Sequence, residues 1–159
     1  MATETTSPTL TVATEADNWK AGVAGGLAGS IVFGLIMTYL IPAPMLAVVI
    51  PSMYGLAPPA APVAGWIIHL SHGAVLGVGF AALLALRPAI GERTGSALGA
   101  GAAYGLVVWL VLAVFVMPVW LSAVGSPANP PLPNVSALSA IGHLAYGVAL
   151  GAAYAALAE

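Results

Sequence analysis

Four long runs of apolar residues, separated by shorter polar or proline-rich segments, dominate the hydrophobic pattern of the chain. No charged side chain interrupts them, and they cover residues 21–41, 64–86, 97–119 and 138–157. At about 1.5 Å per residue, helices of this length match the roughly 30 Å hydrocarbon core of a bilayer. The pattern therefore predicts an all-α fold, a polytopic membrane bundle of four helices.

The composition excludes several classes of protein. Of 159 residues, 60% are hydrophobic and 5% are charged, against roughly 25% charged in a soluble domain. A water-soluble globular enzyme could not cover its surface with so few polar groups. Three basic residues are too few to form a basic surface that binds a nucleic acid. The absence of cysteine excludes metal and catalytic sites that use a thiolate. The lipid bilayer is the expected environment.

The charged residues indicate the orientation. With an even number of spans, the two termini and the loop between the second and third spans lie on one face of the membrane. All charges fall in these three segments: Glu4, Glu15, Asp17, Lys20, Arg87, Glu92, Arg93 and Glu159. The positive-inside rule then places both termini in the cytoplasm and the chain in the cytoplasmic membrane. Residues 1–19, acidic and rich in threonine, are predicted to be a disordered tail.

The second and fourth spans share a repeated pattern. Residues 66–83 align with residues 140–157 at an offset of 74 with nine identities, among them His69 on His143. The first and third spans agree more weakly at an offset of 76. We interpret the chain as two tandem hairpins, residues 20–87 and 95–158. Because each hairpin has two spans, the copies are parallel repeats, which predicts equal depths for His69 and His143.

The repeated motif is His-Leu-x-x-Gly-x-x-Leu-Gly-x-x-(Phe/Tyr)-Ala, at residues 69–81 and 143–155. Together with the glycine-rich first and third spans, it resembles a family of small four-helix integral membrane proteins of unknown function from bacteria and haloarchaea. The resemblance covers residues 20–158. It implies the four-span fold and the repeat, and no activity.

Small residues recur at every fourth position in the spans, so that they share helix faces. In membranes, such faces let helix backbones approach closely. The positions predicted to pack are Gly22, Gly26, Ser30, Gly34, Gly73, Gly77, Gly101, Gly105, Gly147 and Gly151. Both histidines lie on the same faces.

The histidines are the candidate site, because a polar ring within an apolar span is costly. They either form interhelical hydrogen bonds, with Tyr146, Ser71 or loop carbonyls as partners, or bind a cofactor. One cofactor hypothesis is haem b, held by His69 and His143, with Gly73 and Gly147 leaving room for the porphyrin. The other is a zinc or copper site formed by His69, His143 and His72.

The remaining chemistry favours a protein that is not an enzyme. No charged residue lies within a span, which disfavours ion-coupled transport and hydrolysis. The loops 42–63 and 120–137 are uncharged and proline-rich, and we expect them to lie in the membrane interface or against a partner. The leading hypothesis is an accessory or structural subunit of a larger membrane complex, such as a respiratory one, or a homo-oligomer. The alternatives are a haem b electron-transfer module and a passive carrier or channel for a small neutral or lipid-like solute.

Overall fold

Helices account for all the regular secondary structure in the described part of the chain. The computed structural model describes the backbone of residues 9–91 and 93–158, with side chains from residue 18 onward. Its helices are α1 (Thr9–Tyr39), π1 (Met45–Val49), α2 (Ile50–Ser52), α3 (Pro62–Ala85), α4 (Pro88–Gly91), α5 (Thr94–Val108), π2 (Trp109–Val116), α6 (Met117–Ala123) and α7 (Ala137–Leu157). The predicted all-α class is confirmed.

Four of these segments are long and apolar enough to cross a membrane. They are Asn18–Tyr39, Pro62–Ala85, Thr94–Ala123 and Ala137–Leu157. The segment Thr94–Ala123, which joins α5, π2 and α6, is called the third span below. The four predicted spans are confirmed, with ends that differ by a few residues.

The first helix begins earlier than the composition predicted. It starts at Thr9, inside the tail that was expected to be disordered. Neither glycine nor proline occurs between Thr9 and Lys20, so nothing in the sequence interrupts the helix toward its N-terminus. The first eight residues of the predicted tail lie outside the described residues.

The third span continues past Val119, where it was predicted to end, although it contains a proline. Pro118 has no N–H to donate to the carbonyl four residues earlier, which belongs to Val114. The backbone N–H of Asn134 donates to that Val114 carbonyl instead, at 3.0 Å. A residue of the following loop thus satisfies the carbonyl, and the helix continues to Ala123 with the wider π turns just before the proline.

Glycines bring the helices of each hairpin into backbone contact. A Cβ atom placed on Gly26 or Gly73 would overlap the backbone carbonyl of the other residue, so α1 and α3 touch there without side chains between them. Gly101 and Gly147 make the same reciprocal contact between α5 and α7. The packing faces predicted from the small residues are therefore present in both hairpins.

The register of the repeat differs by one residue from the predicted one. Gly26 and Gly101 hold equivalent places, each against the glycine of the repeated motif in its hairpin, which is an offset of 75 instead of 76. The predicted offset would have made Gly25 equivalent to Gly101. Gly25, however, packs against Leu150 of α7, on a neighbouring face of the first helix.

The first helix contacts two neighbours closely, whereas α3 and the third span stay apart. Gly25 and Gly29 let α1 approach α7, where they meet Leu150 and Tyr146. Between α3 and the third span, the contact described is made by a side chain, with the Tyr104 hydroxyl donating to the Leu76 carbonyl at 2.8 Å. The bundle is therefore closely packed on three sides and bridged by a tyrosine side chain on the fourth.

The two ends of the bundle differ in character. One end, called the loop end, carries the long segments 40–61 and 124–136 that connect the spans. The opposite end carries the short connection between α3 and α5, where Gly91 lies beside Tyr154 of α7. The described basic residues Lys20, Arg87 and Arg93 belong to this opposite end.

Candidate functional site

The first long loop folds back onto the loop end of the bundle. The π1 helix packs on α3 at Gly65, where a Cβ atom would overlap the Leu46 carbonyl. Leu46, Ile50 and Ser52 are buried. This segment therefore covers the ends of the helices, with its apolar residues packed inward.

The two long loops are joined to each other. The Trp120 indole Nε1 donates to the Met53 carbonyl at 2.9 Å, and the Ser126 hydroxyl donates to that of Ser52 at 2.9 Å. The rings of Tyr54 and Trp120 are also in contact, with centroids 5.5 Å apart. The loops, expected in the interface or against a partner, thus form a roof over their own bundle.

We expect the Trp120 indole to hold this roof closed. Trp120→Phe keeps an aromatic ring beside Tyr54 but loses the bond to the Met53 carbonyl, which is worth about 1 kcal/mol. Amide hydrogen exchange in residues 45–56 should therefore quicken by about fivefold. The control is Trp19→Phe, since Trp19 lies at the opposite end and is exposed. Equal exchange in the two variants would contradict the role given to Trp120.

A cavity of about 540 Å³ lies beneath the roof. It is bounded by α1, α3, the third span, α7 and both loops, and none of the described residues around it carries a permanent charge. Its wall is mostly apolar and includes Phe33, Met37, Ile50, Met53, Leu76, Leu112, Val116 and Trp120. Val75, also in the wall, is 71% exposed on the outside of the bundle. The cavity therefore reaches the surface on the side where α3 and the third span stay apart.

His69 lies in the cavity wall and ties two helices together. Its Nε2 donates to the Ser30 carbonyl of α1 at 2.9 Å. This is an interhelical bond of the kind predicted, although its partner is a helix carbonyl and not Tyr146, Ser71 or a loop. The Ser30 hydroxyl, packed against Gly73, is fully buried and has no hydrogen-bond partner among the described residues.

His143 lies in the same wall but is held within its own helix. Its Nδ1 donates to the Ser139 carbonyl, one turn earlier in α7, at 2.8 Å. The predicted partner Tyr146 instead donates its hydroxyl to the Gly73 carbonyl of α3 at 3.1 Å. The interhelical bond predicted for this histidine is therefore absent from the described contacts, and no described residue forms a hydrogen bond with its Nε2.

Phe33 connects the two histidines. Its ring centroid lies 5.7 Å from that of His69 and 4.5 Å from that of His143. The ring occupies the space over Gly142, where a Cβ atom would overlap it. Because one phenylalanine touches both imidazoles, the two histidines lie on either side of the same ring. Their equal depth in the membrane stays a prediction.

The three histidines do not form a metal site. His72 also borders the cavity, but its Nε2 is 2.6 Å from the Tyr54 hydroxyl of the first loop. No cluster of three or more His, Asp or Glu side chains able to hold a metal ion occurs in residues 18–91 and 93–158. The predicted zinc or copper site at His69, His143 and His72 therefore has no support in this geometry.

Protein atoms fill the space beside the two glycines that were predicted to leave room for a porphyrin. Gly73 faces Ser30 and Gly26 of α1, and Gly147 faces Gly101 of α5. Close helix packing thus accounts for the missing side chains at both positions, and these glycines do not fit a haem. The glycines therefore give no support to the haem hypothesis. It stays a prediction that depends on the two imidazoles alone.

The sequence did not single out several residues that make the cavity. Phe33, Leu112 and Trp120 come from three different segments and meet only through the fold. The sequence holds a weak signal for Trp120, because Tyr39, Tyr54, Trp66 and Trp120 all lie near the loop ends of the spans, as the residues of an interfacial aromatic belt do. Tyr54 and Trp120 do meet at the roof, whereas Trp66 packs over Gly34.

Comparison with known proteins adds no relative. No family model, curated protein or solved structure matches the chain. The resemblance to the small prokaryotic four-helix family stays a prediction. The geometry of the loop end is therefore the basis on which a function can be inferred.

Proposed function

We propose that this four-span membrane protein binds a small, predominantly apolar molecule in the cavity at its loop end. The observation that carries the proposal is the cavity itself, about 540 Å³ within a helical bundle. Small-molecule sites in proteins measure roughly 300–1,000 Å³ and are lined mainly by apolar side chains with a few polar groups. This is the third of the functions that the sequence left open, a site for a neutral or lipid-like solute.

The composition of the wall favours an uncharged ligand. Methionine, leucine, valine and aromatic side chains surround the space. No described wall residue carries a permanent charge that could neutralise a charged ligand. Burying an unpaired ion in such surroundings costs several kcal/mol or more. An uncharged, lipid-soluble molecule avoids that cost, because its apolar groups exchange one apolar environment for another.

The open side of the bundle provides a route from the lipid. Helix α3 and the third span are separated where the Tyr104 hydroxyl reaches the Leu76 carbonyl, and Val75 marks the outer edge of the cavity there. A ligand dissolved in the membrane can enter sideways between the two helices. The roof formed by the two loops closes the cavity toward water.

Photolabelling with an alkane tests the proposal. The protein in lipid nanodiscs is exposed to dodecane that carries a terminal diazirine, irradiated, and digested for peptide mapping. We expect saturable labelling of the cavity wall in π2, including Leu112 and Ala113, that excess unlabelled dodecane suppresses. Labelling of Leu110, which is exposed on the lipid side, should rise linearly and resist competition.

Two results would separate this proposal from its competitors, one from photolabelling and one from an absorption spectrum. Labelling that is equal and linear at wall and lipid-facing residues would overturn the proposal, because it would mean that the cavity takes up nothing selectively. A Soret absorption band in the purified protein, lost on His69→Ala or His143→Ala, would favour the haem module instead.

The accessory-subunit role stays a prediction beside this proposal. Many large apolar side chains face outward from the spans, among them Ile67, Val107 and Ile141. Lipid covers such a surface as readily as a partner subunit or a second copy does, so the exposed faces do not favour either.

A further inference from the structure

The wall of the cavity includes two imidazole nitrogens, His143 Nε2 and His69 Nδ1, that make no hydrogen bond to the described residues. The Ser139 carbonyl can only accept, so the His143 Nδ1, 2.8 Å away, carries the proton of that bond. An uncharged imidazole then has its other nitrogen, Nε2, as a pure acceptor. No described residue donates to it. An acceptor in an apolar cavity favours a ligand that brings its own donor.

Three other polar side chains of the cavity wall and roof are already engaged. The Tyr146 hydroxyl donates to the Gly73 carbonyl, and the Ser136 hydroxyl accepts the backbone N–H of Ser139. His72 faces the Tyr54 hydroxyl. Unlike these groups, the Nε2 lone pair of His143 can accept a hydrogen bond from a ligand without breaking a bond among the described residues. The Ser30 hydroxyl also has no partner there, but it is fully buried.

His69 is the less accessible of the two paired histidines. Its Nε2 donates to the Ser30 carbonyl, so its Nδ1 is also an acceptor by the same reasoning. The His69 side chain is 9% exposed and buried between α1 and α3, whereas His143 is half-buried. The geometry thus favours His143 as the group that meets the ligand.

We propose that the ligand is an uncharged amphiphile with a hydroxyl group, and that this hydroxyl donates a hydrogen bond to His143 Nε2. The inference rests on the proposed function and names the chemical class of its ligand. His143 is six residues from the start of α7, about 9 Å along the helix axis. The hydroxyl therefore lies near the interface at the loop end, with the chain among Leu76, Leu112 and Val116.

Competition against the diazirine-dodecane label tests this class directly. The competitors are dodecanol, dodecyl methyl ether and dodecane, which share a chain and differ in the terminal group. Only the alcohol can donate a hydrogen bond. We expect dodecanol to suppress labelling of the cavity wall at about fivefold lower concentration than the ether.

Variants of His143 assign the preference to its lone pair. In His143→Phe, which keeps a ring beside Phe33, the alcohol and the ether should compete equally. In His143→Gln, whose side-chain oxygen accepts, part of the preference should return. His72→Phe is the matched control, because it removes another cavity imidazole and should leave the full preference.

Failure of this inference is distinguishable from failure of the proposed function. If all three competitors suppress labelling at the same concentration in the unaltered protein, the hydroxyl class is wrong while apolar binding stands. If the preference persists in His143→Phe, the donor binds elsewhere and the role of His143 is wrong. If no competitor suppresses labelling, the cavity is not a binding site and both proposals fall.

Discussion

Gly147→Ala is expected to lower the free energy of unfolding by about 3 kcal/mol, because a methyl group has no room where α5 and α7 meet. A Cβ atom at this position would overlap the Gly101 carbonyl and approach Gly105. The obstructing atoms belong to helix backbones, which cannot rotate away as a flexible side chain would. Relief therefore requires the whole helices to separate, and α5–α7 packing is lost along its length.

The measurement is unfolding in mixed micelles by a denaturing detergent, followed by circular dichroism. The control is Gly99→Ala, since a Cβ atom there has nothing within 4 Å. Removing a glycine from an exposed helical position should stabilise that variant by roughly 0.5–1 kcal/mol. If Gly147→Ala and Gly99→Ala unfolded at the same detergent fraction, the packing face assigned to the repeated motif would be wrong.

The sequence predicted the spans well because the bilayer imposes a simple length rule. An apolar helix must cover the hydrocarbon core, and the charges mark the segments that cannot enter it. The helix ends were less accurate, since the third span was predicted to end at Val119 and continues to Ala123. A proline ends a helix only when its missing bond is not replaced, and here Asn134 from a distant loop satisfies the Val114 carbonyl.

The sequence could identify which residues pack but not which helix each one meets. The first helix has small residues on two adjacent faces, with Gly26 toward α3 and Gly25 toward α7. Both faces carry several glycines, so a comparison of sequence patterns alone cannot choose between them. The difference between the predicted and observed offsets of the repeat is the result of that ambiguity.

For a similar reason, the sequence predicted the histidines of the candidate site but not their partners or the cavity. Polar rings in an apolar span are conspicuous, and both His69 and His143 do border the cavity. Their partners are backbone carbonyls of Ser30 and Ser139, which every residue possesses and no motif marks. The cavity itself lies between helices and loops that are distant in the sequence, and the loops have no periodic pattern that would reveal their fold.

Leu112→Trp is expected to weaken binding of an apolar ligand by at least about tenfold, or about 1.4 kcal/mol, because an indole there occupies part of the cavity of about 540 Å³. The measurement is saturable photolabelling of the remaining wall residues by diazirine-dodecane in nanodiscs.

Leu110→Trp is the control, since it adds the same ring two residues away on the exposed side of π2, and it should bind as the unaltered protein does. Equal loss in both variants, with equal unfolding midpoints, would mean that the larger ring disturbs π2 and not the cavity. Undiminished binding in Leu112→Trp would place the ligand outside the space beneath the roof, because two occupants cannot share one volume.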